Sequence, residues 1–227
     1  MTRRATPTDP VETLRTVLAT LVEAQGKLTD EHCPRLRKEM QKTLMYLGGV
    51  VNKLAALKKN TESPEHSDGE AGKRKRLDST SQNSNKMLET LNAQILALME
   101  SASEYGEYST KLGHQKRDLS ERAYTAAHIE LRRRDITGRD LAKLEEIVAE
   151  RILWEEDGVE REELDAISGL LKQGAEYRKQ AELNMDASDQ ATEALDGIEL
   201  AARQLASILN TKDTGQPAPK GNNRHGR

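Results

Sequence analysis

Four adjacent cations, Lys73, Arg74, Lys75 and Arg76, form the one compact chemical motif of this 227-residue chain. Acidic, Ser and Gly residues precede them, and Ser, Thr and Asn follow. Such a run fits the groove of an import receptor that reads extended basic peptides. It also suits contact with nucleic-acid phosphates without reading their sequence. The plain alternative is a solubilising charge cluster. No aromatic residue interleaves with the cations, which argues against a platform for stacking single-stranded bases. Nuclear import is the first expectation for Lys73–Arg76.

The remaining reactive residue types do not gather into a catalytic pattern. The chain has five histidines but no His-x-x-x-His pair, and His114 and His128 stand two heptads apart. Metal ligands need to lie within a turn of one another or be brought together by folding. The single cysteine, Cys33, excludes an intramolecular disulfide and a Cys-based zinc cluster, and fits a reducing compartment. Ser and Thr lack a neighbouring base or a Gly-rich elbow. Neither Gly-x-Gly-x-x-Gly nor a phosphate loop occurs. The expectation is a protein that is not an enzyme and uses no metal or cofactor.

What the chain does carry is hydrophobic spacing. Leu88, Leu91, Ile95, Leu98, Ala102, Tyr105, Ser109, Leu112, Lys116, Leu119, Ala123 and Ala126 recur at threes and fours. A second run joins Ile167, Leu170, Gly174, Tyr177, Ala181, Asn184, Ser188, Ala191, Leu195, Ile198, Ala202, Leu205 and Leu209. This spacing places each set on one seam of a long helix, where another helix must cover it. Leu88, Leu91, Ile95, Leu98, Leu195, Ile198 and Leu205 are the expected interface seam. Many other seam members are small or polar, which allows close helix approach or leaves room for a partner's bulky side chains. Seams this long are expected to need a dimer or a helical partner for full coverage.

Composition agrees with narrow seams rather than a thick core. Aromatic residues make up 3% of the chain, with no Phe and one Trp, while 32% of residues are charged. Leu, Ile and Ala suffice for contacts between elongated helices. The charge is uneven: residues 1–60 carry 11 Lys+Arg against 6 Asp+Glu, residues 135–210 carry 8 against 19, and the tail from 211 carries 4 against 1. No segment approaches the roughly 18 apolar residues of a membrane span. The N-terminus lacks the apolar core of a signal peptide, so an intracellular, non-secreted protein is expected.

Local signals then divide the chain. Asp9, Pro10 and Glu12 read as cap, first position and capping-box partner of a first helix. Asp30 or Cys33, with Pro34, opens a second that ends near Lys58 and Lys59. Gly48-Gly49 inside it marks a kink or a close backbone approach. Residues 60–84 contain only Ala71 and Leu77 as apolar members and are expected to form a disordered linker. A long helix from about Asn85 to Arg133 follows, with a turn at Asp135 and Ile136. Thr137 and Asp140 then read as the cap of a short helix over 139–156, and Asp157 and Glu160 as the box of the last long one, to about Asn210. Trp154 is expected to anchor packing at the bundle end, with an interface hot spot as the alternative.

The expected architecture is all-α: an elongated helical bundle or coiled-coil hairpin over 85–210, with a disordered linker and a disordered tail over 211–227. A separate helical pair over 1–59 would be tethered by the linker. The expected function is a non-catalytic structural or adaptor subunit of a multi-protein assembly, acting by helix–helix association. A nuclear setting is favoured, in a chromatin-, centromere- or transcription-associated complex. One rival is a cytoplasmic helical tether or trafficking subunit. Another is direct nucleic-acid binding through Arg132–Arg134, the linker cations and the basic tail.

Overall fold

The computed structural model describes residues 9–62, 70–137, 141–154 and 158–213. Within them lie five helices and no strand: α1 (Pro10–Gly26), α2 (Pro34–Glu62), α3 (Glu70–Arg133), α4 (Leu141–Trp154) and α5 (Val159–Asp213). The chain is all-α. None of these helices is long and apolar enough to cross a membrane.

Helix boundaries follow from local chemistry. The Asp9 carboxylate accepts the Val11 backbone N–H at 3.1 Å, and Pro10 takes the first helical position, where no donor is needed. Lys58 Nζ lies 2.6 Å from the other Asp9 oxygen, tying the start of α1 to the end of α2. The Lys58 ammonium first, and the Val11 amide second, hold the Asp9 carboxyl below its ordinary range. Glu12 pairs with Arg15 at 2.7 Å. The Cys33 carbonyl receives the Arg37 N–H and opens α2, as the Pro34 signal predicts.

The end of α3 is a left-handed cap. Asp135 has φ 56°, its N–H bonds the Arg132 carbonyl, and the Ile136 N–H reaches back to Leu131. This is a Schellman motif, with Leu131 and Ile136 as its apolar contact. The Thr137–Asp140 and Asp157–Glu160 capping pairs fall partly outside the described residues. At the start of α5 the Gly158 carbonyl accepts the Glu162 N–H.

The chain divides into two compact units, and not at the expected linker. The first combines described residues of Met1–Ser103 with those of Ala191–Arg227. In it α1 pairs with α5: an ideal Cβ on Gly197 would lie 2.7 Å from Ala24 Cβ, and Thr20 reaches Gln204 at 3.4 Å. The expected N-terminal pair is therefore packed into a larger unit. Residues 70–84, expected as disordered linker, belong to α3. A helical backbone satisfies its own hydrogen bonds, so it does not need buried side chains along its whole length.

The second unit is Glu104–Gln190. Its core joins Ala127, Leu131, Ile136, Leu144, Val148, Leu164, Ile167 and Leu171, with Tyr124, Ile152 and Leu170 packed against it. Here α3 and α5 run antiparallel across small residues. The Ser120 hydroxyl donates to the Gly174 carbonyl at 2.8 Å, and Ser188 donates to Gly106 at 3.1 Å. Thr110 and Ser188 share a hydroxyl contact at 2.6 Å. Lys116 extends over the Tyr177 ring, 5.1 Å from its centroid.

The buried stripe of α3 runs through Ser84, Leu88, Leu91, Ile95, Leu98, Ala102, Gly106, Ser109, Gly113, Ser120, Ala123, Ala127 and Leu131, with Lys116 half-buried among them. Consecutive steps of four occur at Leu98–Ala102–Gly106 and Ala123–Ala127–Leu131. The stripe therefore advances at about 3.6 residues per turn, the period of a straight helix, and not at the 3.5 of a heptad. The expected members Tyr105, Leu112, Leu119 and Ala126 consequently give way to Gly106, Gly113, Ser120 and Ala127.

Among the described residues no atom outside the local helix lies within 4 Å of an ideal Cβ at Gly48 or Gly49, and α2 continues through both, so no described backbone approaches closely there. Gly197→Ala, with rigid Ala24 in its path, should destabilise the protein by about 1–3 kcal/mol of overpacking, less roughly 1 kcal/mol of improved helix propensity. Gly49→Ala should instead stabilise by about 0.5–1 kcal/mol. Urea unfolding monitored by circular dichroism gives opposite shifts of the midpoint.

Candidate functional site

Every α3 residue of the expected interface seam is covered by the chain itself. Leu88, Leu91, Ile95 and Leu98 are buried in the first unit. On α5, Ile198 and Leu205 have no exposed surface, whereas Leu195 is half-buried beside fully buried Ala194. The same one-residue offset puts Ala201 and Ile208 inside in place of Ala202 and Leu209. Charge at Ile198 would disrupt this core before it tested any association.

A different set of apolar side chains faces outward in the second unit. Tyr108 is 64% exposed, Leu119 38% and Ile129 50%. Leu112 and Ala126 are half-buried. At 100° per residue, Tyr108, Leu112, Leu119 and Ala126 fall within an arc of about 40° on the flank of the buried stripe. Leu112, Leu119 and Ala126 recur every seven residues, each one position before buried Gly113, Ser120 and Ala127 and so about 100° from it around the helix. Tyr108 and Ile129, three or four residues from seam positions, are the signal that sequence reading passed over.

Trp154 corrects an expectation. It does not anchor the bundle: Trp154 is 85% exposed and Leu153 81%. Val159, at the start of α5, is 73% exposed. The α4 face that enters the core carries Leu144 and Val148, and Trp154 lies about 100° from the middle of this pair around the helix.

The basic run also differs from its expected setting. Lys73–Arg76 occupy helical backbone in the first turns of α3. Cations at a helix N-terminus oppose the macrodipole, so the run sits where helix is least favoured. Docking as an extended peptide requires those turns to unwind.

Two depressions bear on chemistry. A cleft of about 420 Å³ between α3 and α5 is lined by Arg117, Ser120, Glu121, Tyr124, Arg178, Ala181 and Glu182. Its lining holds two arginines and two glutamates, and Arg178 pairs with Glu182 at 3.3 Å. Ser120 is engaged with Gly174, and burial, followed by the Glu145 charge, pushes the Tyr124 hydroxyl pKa up. This arrangement supplies neither a poised base nor an activated nucleophile. A larger open groove of about 640 Å³ lies between α2 and α3, with Tyr46, Leu57 and Met87 among its apolar lining and Lys53 and Lys86 beside them. Among the described residues no group of three or more His, Cys, Asp or Glu side chains is placed to hold a metal ion.

No family model, curated protein or solved structure matches this chain. The functional reading therefore rests on the residues alone.

Cys33 is fully buried, and desolvation raises its thiol pKa to about 11. Thiolate is scarce at neutral pH and shielded from reagents. Iodoacetamide should modify the native protein orders of magnitude more slowly than the urea-unfolded chain, as mass spectrometry of timed samples will register. Equal rates would place the thiol at the surface.

Proposed function

We propose that this chain is a non-catalytic adaptor or structural subunit of a multi-protein assembly, which it joins by helix–helix association. The observation that carries the reading is the outward stripe of Tyr108, Leu112, Leu119, Ala126 and Ile129. The chain's own helices fill the buried stripe beside it, leaving these outward apolar residues for a helix supplied by another molecule. Such a helix lays its apolar face along the stripe, in the manner of an amphipathic helix in a groove. The charged surroundings, such as Lys111 and Asp118, then select partner and direction.

The setting we favour is the nucleus, in a chromatin-, centromere- or transcription-associated complex. Lys73–Arg76 supports it as an import signal that becomes available when the first turns of α3 unwind. Those turns carry charge opposed to the helix dipole, which keeps the cost of opening low.

Affinity purification of the native protein tests association. A helical partner should co-purify in stoichiometric amount with wild type and be lost from Leu119→Glu/Ile129→Glu. Removing two partly buried aliphatic contacts at about 1.5–3 kcal/mol each should weaken capture by about 100-fold or more. Helicity should be unchanged, because both side chains face outward. Retention of the partner by the double variant would move the interface elsewhere.

Replacing Lys73, Arg74, Lys75 and Arg76 together by Ala should abolish nuclear accumulation of a fluorescent fusion without altering its thermal melt. Exclusion of the wild-type fusion from nuclei would defeat the compartment assignment.

A further inference from the structure

The exposed corner between α4 and α5 and the groove between α2 and α3 have complementary chemistry. At the corner, Leu153 and Trp154 end one helix and Val159 begins the next, all three exposed. Residues 145–163 carry nine Asp+Glu against two Arg. Glu150, Glu160 and Glu162, within this stretch, are all exposed. The corner is thus an apolar knob in an acidic field. The α2–α3 groove has the opposite character: an apolar lining that includes Tyr46, Leu57 and Met87, with Lys53 and Lys86 exposed beside it. Residues 46–57, its α2 wall, carry Lys53 and no acidic residue.

We infer that the Trp154 knob of one copy of this chain docks into the α2–α3 groove of a second copy. A volume of about 640 Å³ falls within the usual range of small binding pockets, large enough for one bulky side chain and its neighbours. Trp is among the residue types enriched as interface anchors, and burying it removes about 150–250 Å² from water. Lys53 and Lys86 then meet the glutamates flanking the knob. The acidic field repels nucleic acid and anionic lipid headgroups, so a protein surface is the occupant that fits. Because knob and groove are different surfaces, a joined pair leaves one knob and one groove unoccupied. The contact is heterologous and propagates head to tail. Its small area places it among weak, reversible contacts, with Kd in the micromolar range or above.

The association uses residues outside the α3 stripe and stands independently of it. Sedimentation analysis of the purified full chain over a concentration series should show mass growing beyond a dimer, less so at high salt. Trp154→Ala and Lys53→Glu/Lys86→Glu should each sediment as monomers with wild-type helicity, since all three side chains are exposed. Mixed together, the two variants should form a complex that stops at one copy of each, because one retains the groove and the other the knob. Leu119→Glu/Ile129→Glu should still assemble like wild type, which separates this contact from the proposed partner stripe. A wild type that stays monomeric up to about 1 mM, a Kd some 1,000-fold weaker than micromolar, overturns the inference. So does assembly that survives Trp154→Ala, or a mixture of the two variants that stays monomeric.

Discussion

Close approach of helix backbones at small residues is the constraint on which the rest of this structure depends. A chain with so few rings cannot fill wide gaps between helices, so it brings the helices together instead. Gly197 lies against Ala24; an ideal Cβ at Gly113 would lie 2.9 Å from Met185 Sδ, and one at Gly174 2.8 Å from the Tyr124 ring. At that separation hydroxyls on one helix reach carbonyls of the next, as Ser120 and Ser188 do. These bonds add modestly to stability, about 0.5–1.5 kcal/mol each. Their larger effect is on specificity. A slip of α3 against α5 in the second unit would bury a hydroxyl without a partner and drive a side chain into a glycine's place.

On α3 the buried stripe shifts by one position after Ala102, and that shift gives the helix two faces. The chain's own core takes Gly106, Gly113, Ser120 and Ala127, seven residues apart. Leu112, Leu119 and Ala126 keep the same spacing one position earlier, about 100° away around the helix at every repeat. They end beside the core rather than in it. An apolar residue left in that position costs little in the isolated chain, because scattered exposed Leu and Ile are ordinary. A row of them on one flank is the feature that the adaptor reading uses.

Much of the architecture was legible because helix ends are written in local chemistry. Asp9-Pro10, Pro34 and the Arg132–Asp135 turn each mark a boundary without reference to tertiary structure. The seam was also legible where it is rich in Leu and Ile, from Leu88 to Leu98. From Gly106 onward half of it stands, at Ser109, Lys116 and Ala123, while Tyr105, Leu112, Leu119 and Ala126 each lie one position before the buried residue, because Gly106, Gly113 and Ser120 carry no hydropathy signal. Trp154 misled for a related reason: residue type sets the gain from burial but not whether a neighbour exists to provide it. The helical start at Glu70 was missed because scarcity of apolar residues was equated with absence of structure. Within that stretch Glu70, Ala71 and Lys73–Arg76 are good helix formers on intrinsic grounds. The α2–α3 groove was invisible altogether, since it is made by residues more than 25 positions apart.

The division of the chain has a consequence for the order in which it assembles during synthesis. The second unit is one continuous stretch, Glu104–Gln190, whose contacts all close once its own residues have left the ribosome. The first is interrupted, and its α1 face must wait for the segment beginning at Ala191. Closing that long loop carries an entropic cost that grows only slowly with length, but the waiting time is set by translation at roughly 5–20 residues per second. For about 4–20 seconds, while residues 104–190 are being made, the α1 side chains that will meet α5 lack their final cover. A nascent chain in this state exposes Leu and Val to water, and chaperones that hold such segments would act on α1 and α2 and release them when α5 emerges.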